Sequence, residues 1–191
     1  MRSFSSLLVA FCFVALAVAA CSSHSRGPGA GTSPEARFIT ETAKQAQAQF
    51  ALGRFKRALE IYSNAVDKYH HPELRRGYAR LGEQIRSAAD AAYQTGAVAE
   101  AGIDYSILFE SGITTRDFAG TLSFNDDYLS SHIKACSRDL MESGLMKYRE
   151  EKLDEAIAIW KKALVFDPGN KNVKSAFETA TAQLQELKRI K

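Results

Sequence analysis

The hydrophobic residues of one stretch of the chain are spaced three and four positions apart. The members of this set are Phe55, Ala58, Leu59, Tyr62, Val66 and Tyr69. This spacing places them on one face of an α helix, whereas a strand would alternate polar and apolar positions. Two later stretches repeat the spacing, and their members are Val98, Ala101, Tyr105, Leu108 and Phe109, then Leu153, Ala156, Ile157, Trp160 and Leu164. The pattern therefore predicts three amphipathic helices.

The three stretches superpose on one alanine each, Ala58, Ala101 and Ala156. In every copy an aromatic residue follows the alanine by four positions, an apolar residue precedes it by three, an aromatic by eight and a small residue by twelve. The aromatic residues four positions after the alanine are Tyr62, Tyr105 and Trp160, and the apolar residues three before it are Phe55, Val98 and Leu153. The aromatic residues eight before it are Phe50, Tyr93 and Tyr148, and the small residues twelve before it are Ala46, Ala89 and Gly144. We infer a unit of two helices, in which small residues allow close approach and aromatic residues fill the gaps.

A tight turn is expected between the two helices of a unit. Gly53 and Gly96 lie between the aromatic residue and the next apolar residue of the first and second copies. Glycine readily adopts the left-handed conformation in which helices end. Glu151 occupies this place in the third copy, so the pattern predicts the turn for at least the first two units.

This arrangement resembles the tetratricopeptide repeat (TPR), a helix-turn-helix unit of about 34 residues. The third copy, residues 137–170, carries the resemblance most fully, through Gly144, Tyr148, Ala156, Trp160, Ala163 and Pro168. No copy has the family's tryptophan at the fourth place, and successive copies lie 43 and 55 residues apart. The resemblance implies an all-α fold over residues 35–191, a short TPR-like solenoid of about three degenerate units.

Two junctions account for the wide spacing of the copies. The first, around residues 70–81, contains Pro72, which suits the first turn of a helix, and it can lengthen the leading helix of the second unit. The second, residues 111–127, is called the inserted segment below. It mixes turn residues with four large apolar side chains, Ile113, Phe118, Leu122 and Phe124. Such a segment either packs back on the helices, which we favour, or contacts a partner.

The pattern of the last part of the chain, residues 171–191, predicts one more amphipathic helix. Its apolar stripe consists of Val173, Ala176, Phe177, Ala180, Leu184 and Leu187, and the opposite face is polar and charged. A solenoid needs a terminal helix with a polar outer face to cover its last repeat. We therefore expect a capping helix, and the alternative is a coiled-coil helix for dimerisation.

The first residues of the chain have the pattern of an export signal. A single positive charge, Arg2, precedes residues 7–20, which are all apolar or small. This run is too short to span a bilayer, so residues 1–20 predict a cleaved signal peptide. The Val-Ala-Ala sequence before Cys21 resembles the lipobox of bacterial lipoproteins, which implies acylation of Cys21 and a palmitate-type membrane anchor. In that family Ser22 implies export to the outer membrane. The alternative is an ordinary secretory signal with an incidental cysteine.

The segment that follows the predicted signal peptide, residues 21–34, lacks large apolar side chains and is rich in Gly, Ser and Pro, which predicts a flexible tether. The whole chain has 191 residues, which suits a single domain behind the tether. Its 25 Lys and Arg residues nearly balance 22 Asp and Glu, so the charge of +3 does not favour a nucleic-acid partner. Of three cysteines only Cys136 would remain a free thiol after processing and acylation.

The residue types that carry out catalysis do not form a convincing group. His70 and His71 are adjacent in a predicted turn and lack an acidic or thiol ligand at metal spacing. Cys136 lies on a predicted helix, where a small packed residue is the more ordinary role. Asn125 precedes a helix predicted to begin at Tyr128, so we expect a helix cap rather than a cation site. We expect no enzyme activity, no metal and no cofactor.

In the TPR family the first helix of each unit lines a concave groove that binds peptides. The family register implies a predicted groove formed by Glu83, Arg86, Asp90, Tyr93 and Gln94 in the second unit and by Arg138, Met141, Leu145, Tyr148 and Arg149 in the third. The corresponding residues of the first unit are Thr40, Ala43, Gln47, Phe50 and Ala51. Arginine, aromatic and aliphatic side chains suit an extended or helical peptide. The alternative for Tyr93 and Tyr148 is packing within their own units.

These expectations combine into one functional hypothesis, a lipid-anchored periplasmic protein that acts as an interaction adaptor or assembly factor in the bacterial cell envelope. Its partners would be proteins, and its membrane contact would be the lipid on Cys21. One alternative is a structural subunit of an envelope, secretion or pilus complex, resembling a pilotin, with the inserted segment as the contact. The other is an enzyme that uses Cys136 or the histidines. The oligomeric state and the partner's pathway stay open.

Overall fold

Seven α helices and two short 3₁₀ turns form the part of the chain that the computed structural model describes, residues 33–190. The helices are α1 (Pro34–Ala51), α2 (Phe55–Tyr69), α3 (Pro72–Gln94), α4 (Val98–Glu110), α5 (Asp126–Arg149), α6 (Leu153–Phe166) and α7 (Lys171–Ile190). No strand occurs among these residues, which confirms the all-α class. The predicted signal peptide, Cys21 and all but the last two residues of the predicted tether lie outside the described residues.

Side-chain caps begin several of the helices. The Ser33 hydroxyl accepts a hydrogen bond from the Ala36 amide at 3.1 Å, one turn into α1. The Asn125 side chain accepts one from the Tyr128 amide at 2.8 Å at the start of α5. Each cap satisfies an amide that has no partner within its helix. The predicted capping role of Asn125 is confirmed, although α5 begins at Asp126, two residues before the expected start.

The turns within the three hairpins, α1–α2, α3–α4 and α5–α6, have the same backbone conformation. Each contains one residue with positive φ at the same place, Gly53 at 68°, Gly96 at 84° and Glu151 at 60°. Each is closed by an amide that donates to a carbonyl five residues earlier, in the pairs Arg54–Gln49, Ala97–Ala92 and Lys152–Lys147, at 2.8 to 3.0 Å. These are the hydrogen bonds of a Schellman turn, and the third hairpin forms it with a glutamate in place of glycine.

The hairpins stack in chain order. Besides the pairs within hairpins, α1 contacts α3, α2 contacts both α3 and α4, and α4 contacts both α5 and α6. Helix α7 contacts α5 and α6, and its buried residues are Val173 and Ala180. The polar residues on the other side of α7, such as Glu178, are exposed. Helix α7 therefore packs its apolar side on the third hairpin and leaves its polar side exposed.

Glycines and aromatic rings meet where helices approach closely. A Cβ atom on Gly144 in α5 would lie 2.7 Å from Cδ1 of Trp160 in α6. The Trp160 indole nitrogen donates to the Met141 carbonyl at 3.2 Å, which fixes the ring over this position. The first two copies have alanine and tyrosine at the corresponding places. The larger indole of the third copy is thus accommodated by the smaller residue.

The inserted segment packs back on the second and third helices. Ile113 is fully buried and Phe124 is 5% exposed. A Cβ atom on Gly82 of α3 would lie 2.6 Å from Cδ1 of Ile113, so the contact is close. The Arg116 guanidinium donates to the Ser63 hydroxyl at 2.7 Å and also pairs with Asp67, both on α2. The favoured alternative for this segment, packing on the helices, is the one observed.

Part of the extra length between the second and third copies is helical. Helix α5 begins at Asp126, eleven residues before the third repeat copy begins at Ser137. These additional turns contribute Leu129 and Cys136 to the core, and both are fully buried. In the part of the chain that the structure describes, no helix has the length and apolar character needed to cross a membrane.

Candidate functional site

Four of the five predicted groove residues on α3 are engaged with other parts of the same chain. Asp90 is at the centre of their hydrogen bonds. Its Oδ1 accepts from the hydroxyls of Tyr105 on α4 at 2.6 Å and Tyr128 on α5 at 2.7 Å, and its Oδ2 accepts from Arg86. One carboxylate thereby links three helices. Burial, together with the bond to Asp90, raises the pKa of the Tyr105 hydroxyl, which stays a donor.

Glu83, two turns before Asp90 on α3, binds the inserted segment. Its Oε2 accepts from the Ser123 hydroxyl at 2.7 Å and from Nε of Arg86 at 3.1 Å. Partial burial acts to raise the pKa of Glu83, but the bonds from Ser123 and Arg86 outweigh it and hold that pKa below its usual value. The inserted segment and the first turns of α5 therefore occupy the side of α3 that was predicted to form the groove.

The two groove tyrosines connect neighbouring helices. The Tyr93 hydroxyl donates to Oδ2 of Asp139 on α5 at 2.7 Å, which raises the pKa of Tyr93. The Tyr148 hydroxyl donates to Oε1 of Gln183 on α7 at 2.8 Å. The Tyr148 ring also lies 6.1 Å from the centre of the Trp160 ring within its own unit. Tyr93 thus links the second and third hairpins, and Tyr148 links the third hairpin to α7 while also contacting a ring of its own hairpin.

The predicted groove remains open along α5. Arg138 and Arg149 are exposed, eleven residues or about three helical turns apart, and so lie on one side of the helix. Met141 and Leu145, between them, are half-buried against the core. On α3 only Gln94 of the predicted set is exposed. The accessible part of the site is an apolar strip on α5 with an arginine at either end.

Three residues of this region were not identified from the sequence: Ser123, Tyr128 as a hydrogen-bond donor, and His132. The His132 ring stacks on Tyr128 at 4.0 Å between centres and lies 4.9 Å from the Tyr105 ring. Aromatic residues four positions apart on a helix are neighbours, so the Tyr128–His132 contact had a sequence signal. The contacts of Tyr128 with Asp90 on α3 and of His132 with Tyr105 on α4 had none, because they depend on where the additional turns of α5 pack.

The residues considered for catalysis are a buried cysteine and two histidines at the ends of helices. Cys136 is fully buried, and burial raises the pKa of its thiol to about 12, so the nucleophilic thiolate is strongly disfavoured. His70 ends α2, and His71 caps α3 by accepting from the Glu73 amide at 3.2 Å. Residues 33–190 contain no group of three or more His, Cys, Asp or Glu side chains arranged to hold a metal ion.

Among the cavities of residues 33–190 that lie away from the predicted groove, two adjoin α2 and α3. One of about 250 Å³ lies between α2 and α4, and it is lined by Lys56, Leu59, Glu60, Ser63, Tyr78, Ile107, Glu110 and Ser111. The other, of about 340 Å³, lies where α1 begins and α2 meets α3, and it is lined by Pro34, Glu35, Phe38, Ile39, Tyr69, His71 and Leu74. The second is mostly apolar and adjoins the residues that connect the domain to the predicted tether.

Comparison with known proteins adds no relative. No protein-family model, no curated protein and no solved structure matches this chain. The functional conclusion therefore rests on the chain's own residues and their arrangement.

Proposed function

We propose that this chain is a lipid-anchored adaptor of the bacterial cell envelope, with a TPR-like helical domain that binds a segment of a partner protein. The observation that carries the proposal is the threefold recurrence of one hairpin geometry. Gly53, Gly96 and Glu151 take the same left-handed conformation at the same place of each unit. Stacked helical hairpins of this kind expose extended faces that bind proteins.

The binding surface we propose is the open strip on α5, formed by Arg138, Met141, Leu145 and Arg149. Arginine and methionine are enriched at protein interfaces, and half-buried apolar side chains supply area that a partner can cover. The partner segment would be extended or helical, with apolar residues flanked by acidic ones. Glu83, Arg86, Asp90 and Tyr93 on α3 are assigned a supporting role in this proposal, because they already have hydrogen-bond partners within the chain.

The anchor we propose is a lipid on Cys21, with the domain on the periplasmic side of the outer membrane. The support is the sequence before Cys21 and Ser22 after it. Mass spectrometry of the protein purified from membranes tests it directly. We expect a mature chain that begins at Cys21 and carries acyl groups, and a Cys21→Ala chain that carries none. A mature, unacylated native chain would contradict the anchor.

Capture of partners from the envelope tests the binding surface. The test variant combines Arg138→Glu with Arg149→Glu, and the matched control combines Lys161→Glu with Lys162→Glu on the exposed side of α6. Both variants change the charge equally, and all four residues are exposed, so neither change disturbs the core. We expect a protein crosslinked to the native chain in cells to be retained by the control and lost from the α5 variant. Equal retention by both variants would show that the partner binds elsewhere.

The burial of the inserted segment weighs against its use as the main contact of a structural subunit, since Ile113 and Phe124 face the core. Complementation of a deletion strain tests the enzyme alternative. We expect Cys136→Ala, and separately His70→Ala with His71→Ala, to restore the native phenotype fully. Failure of a folded histidine variant to complement would favour a chemical role for these side chains.

A further inference from the structure

We propose that the end of the domain where α1 begins and α2 meets α3 lies against the lipid bilayer, with Phe38 and Tyr69 in the interfacial layer of the membrane. This surface is called the aromatic end below and consists of Pro34, Phe38, Lys68, Tyr69 and His71. The inference rests on the proposed anchoring at Cys21 and goes beyond it, because a lipid on Cys21 alone would leave the orientation of the domain undetermined.

The aromatic end exposes two large rings next to each other. Phe38 is 36% exposed and Tyr69 is 44% exposed, and their ring centres are 4.3 Å apart. Together they border the apolar cavity of about 340 Å³ whose inner wall includes the fully buried Leu74. Exposed apolar patches with an adjoining cavity mark surfaces that contact a membrane or another molecule.

The position of the predicted anchor favours the lipid bilayer as the surface that the aromatic end contacts. Ser33, which caps α1, borders the aromatic end and is only twelve residues beyond Cys21. A chain of this length reaches at most about 40 Å, even when fully extended. With Cys21 held in the membrane by its acyl chains, the aromatic end is the part of the domain that stays near the lipid surface.

The chemistry of the aromatic end suits the boundary between headgroups and acyl chains. Tyrosine has an apolar ring and a polar hydroxyl, and it is enriched at that depth of membranes. The Lys68 ammonium lies 5.1 Å from the centre of the Tyr69 ring. A lysine beside such a ring can keep its apolar stem along the ring and its charge on a lipid phosphate. Glu35 also lines the cavity, so the apolar rings rather than a net positive charge select the partner of this surface, which is a phospholipid bilayer.

This orientation has a consequence for the rest of the molecule. Helix α1 contains 18 residues and is about 27 Å long, so its far end lies well away from the bilayer. Leu52, in the α1–α2 turn at that far end, is 63% exposed. It provides a matched control, because it is an exposed apolar residue next to the same helix at the opposite end.

Tryptophan fluorescence in reconstituted vesicles tests the orientation. The acylated full-length mature protein is incorporated into phosphatidylethanolamine and phosphatidylglycerol vesicles with brominated acyl chains, which quench tryptophan on contact. Two variants are compared, Phe38→Trp and Leu52→Trp. The native Trp160 is 1% exposed and contributes the same background to both. We expect a several-fold larger fractional loss of fluorescence for Phe38→Trp than for Leu52→Trp.

Each outcome of this experiment decides the inference. Equal quenching of the two variants, or stronger quenching of Leu52→Trp, overturns the orientation while leaving the anchor intact. Mass spectrometry of the same samples reports the acyl groups. If they are absent, the proposed anchor fails and the orientation fails with it. Tyr69→Trp, on α2, provides a second reading of the same surface if Phe38→Trp does not fold.

Discussion

Asp104, on α4, is a carboxyl group whose ionisation is opposed by its surroundings. Burial, with a further contribution from Glu100 one turn earlier, raises the pKa of Asp104 to about 6. In the unfolded chain the group has its ordinary pKa of 3.8. Between these values the folded protein binds more protons than the unfolded one. The contribution of Asp104 to stability is therefore most favourable below about pH 4 and is lost as the pH rises through 6.

The substitution Asp104→Asn should stabilise the protein at neutral pH, because the neutral amide places no charge in these surroundings. We expect a gain of about 1 to 2 kcal/mol in the free energy of unfolding at pH 7, and convergence with the native protein near pH 4. Urea unfolding at both pH values measures the difference. Glu178→Gln, exposed on α7, is the control and should change stability by less than about 0.5 kcal/mol. An Asp104→Asn protein no more stable than the native one at pH 7 would contradict this account.

Individual side chains differ in how far the sequence predicts their environment. The capping role of Asn125 was predictable, because it depends on amides only three residues away. The packed role of Cys136 was predictable from its residue type, and its full burial agrees. The environment of Asp104 was not, since a polar residue beside an amphipathic stripe gives no sign of how much of it neighbouring helices will cover.

At the scale of elements, the α5–α6 turn shows how one backbone geometry tolerates different residues. Glu151 takes a φ of 60°, where a side chain with a Cβ atom is strained, while Gly53 and Gly96 take the same conformation without that cost. The hydrogen bonds from Glu151 to Tyr148 and from Lys152 to Lys147 keep the conformation in place. The turn is thus imposed by the hairpin rather than by its residue.

The substitution Glu151→Gly should remove this strain. We expect a gain of about 1 kcal/mol in the free energy of unfolding and a melting temperature higher by a few degrees. Gly96→Ala makes the reverse change in the α3–α4 turn, where a Cβ atom would meet nothing within 4 Å, so its loss of stability would come from the backbone alone. If the two substitutions change stability in the same direction, backbone strain is not the cause.

The sequence predicted the helix boundaries where a particular residue marks the start or the end of a helix. The first two turns were predictable because glycine marks them, and the lengthened α3 was predictable because Pro72 marks its start. The third turn could not be predicted in the same way, because glutamate carries no such signal. The start of α5, eleven residues before the repeat, depends on packing of Leu129 against the core rather than on repeat periodicity.

On the scale of the whole molecule, the Asp90 carboxylate joins the second hairpin to the third. It accepts bonds from Tyr105 within its hairpin and from Tyr128 on α5. Tyr105 is fully buried, so water could not replace Asp90 as the acceptor for its hydroxyl if Asp90 were removed. A donor left unpaired in this way costs more than the average hydrogen bond contributes.

The substitution Asp90→Ala should therefore destabilise the whole domain by about 2 to 4 kcal/mol, because it leaves two hydroxyls and part of the Arg86 charge unpaired. Asp90→Asn retains an acceptor oxygen and should cost less. Gln94→Ala, one turn further along α3 and exposed, should have little effect. Thermal unfolding followed by circular dichroism measures all three, and a similar small effect for Asp90→Ala and Gln94→Ala would contradict the role of this carboxylate.

Local patterns in the sequence were sufficient to predict the helices, their pairing into hairpins and a terminal amphipathic helix. These features depend on periodicity and on turn residues, which act over a few positions of the chain. Which of the predicted groove residues are accessible depends on how distant parts of the chain pack together. The additional turns of α5 and the inserted segment reach Glu83 and Asp90 across 38 to 40 positions of the chain. A hydrogen bond between residues so far apart depends on how whole helices pack, and no local pattern contains that information.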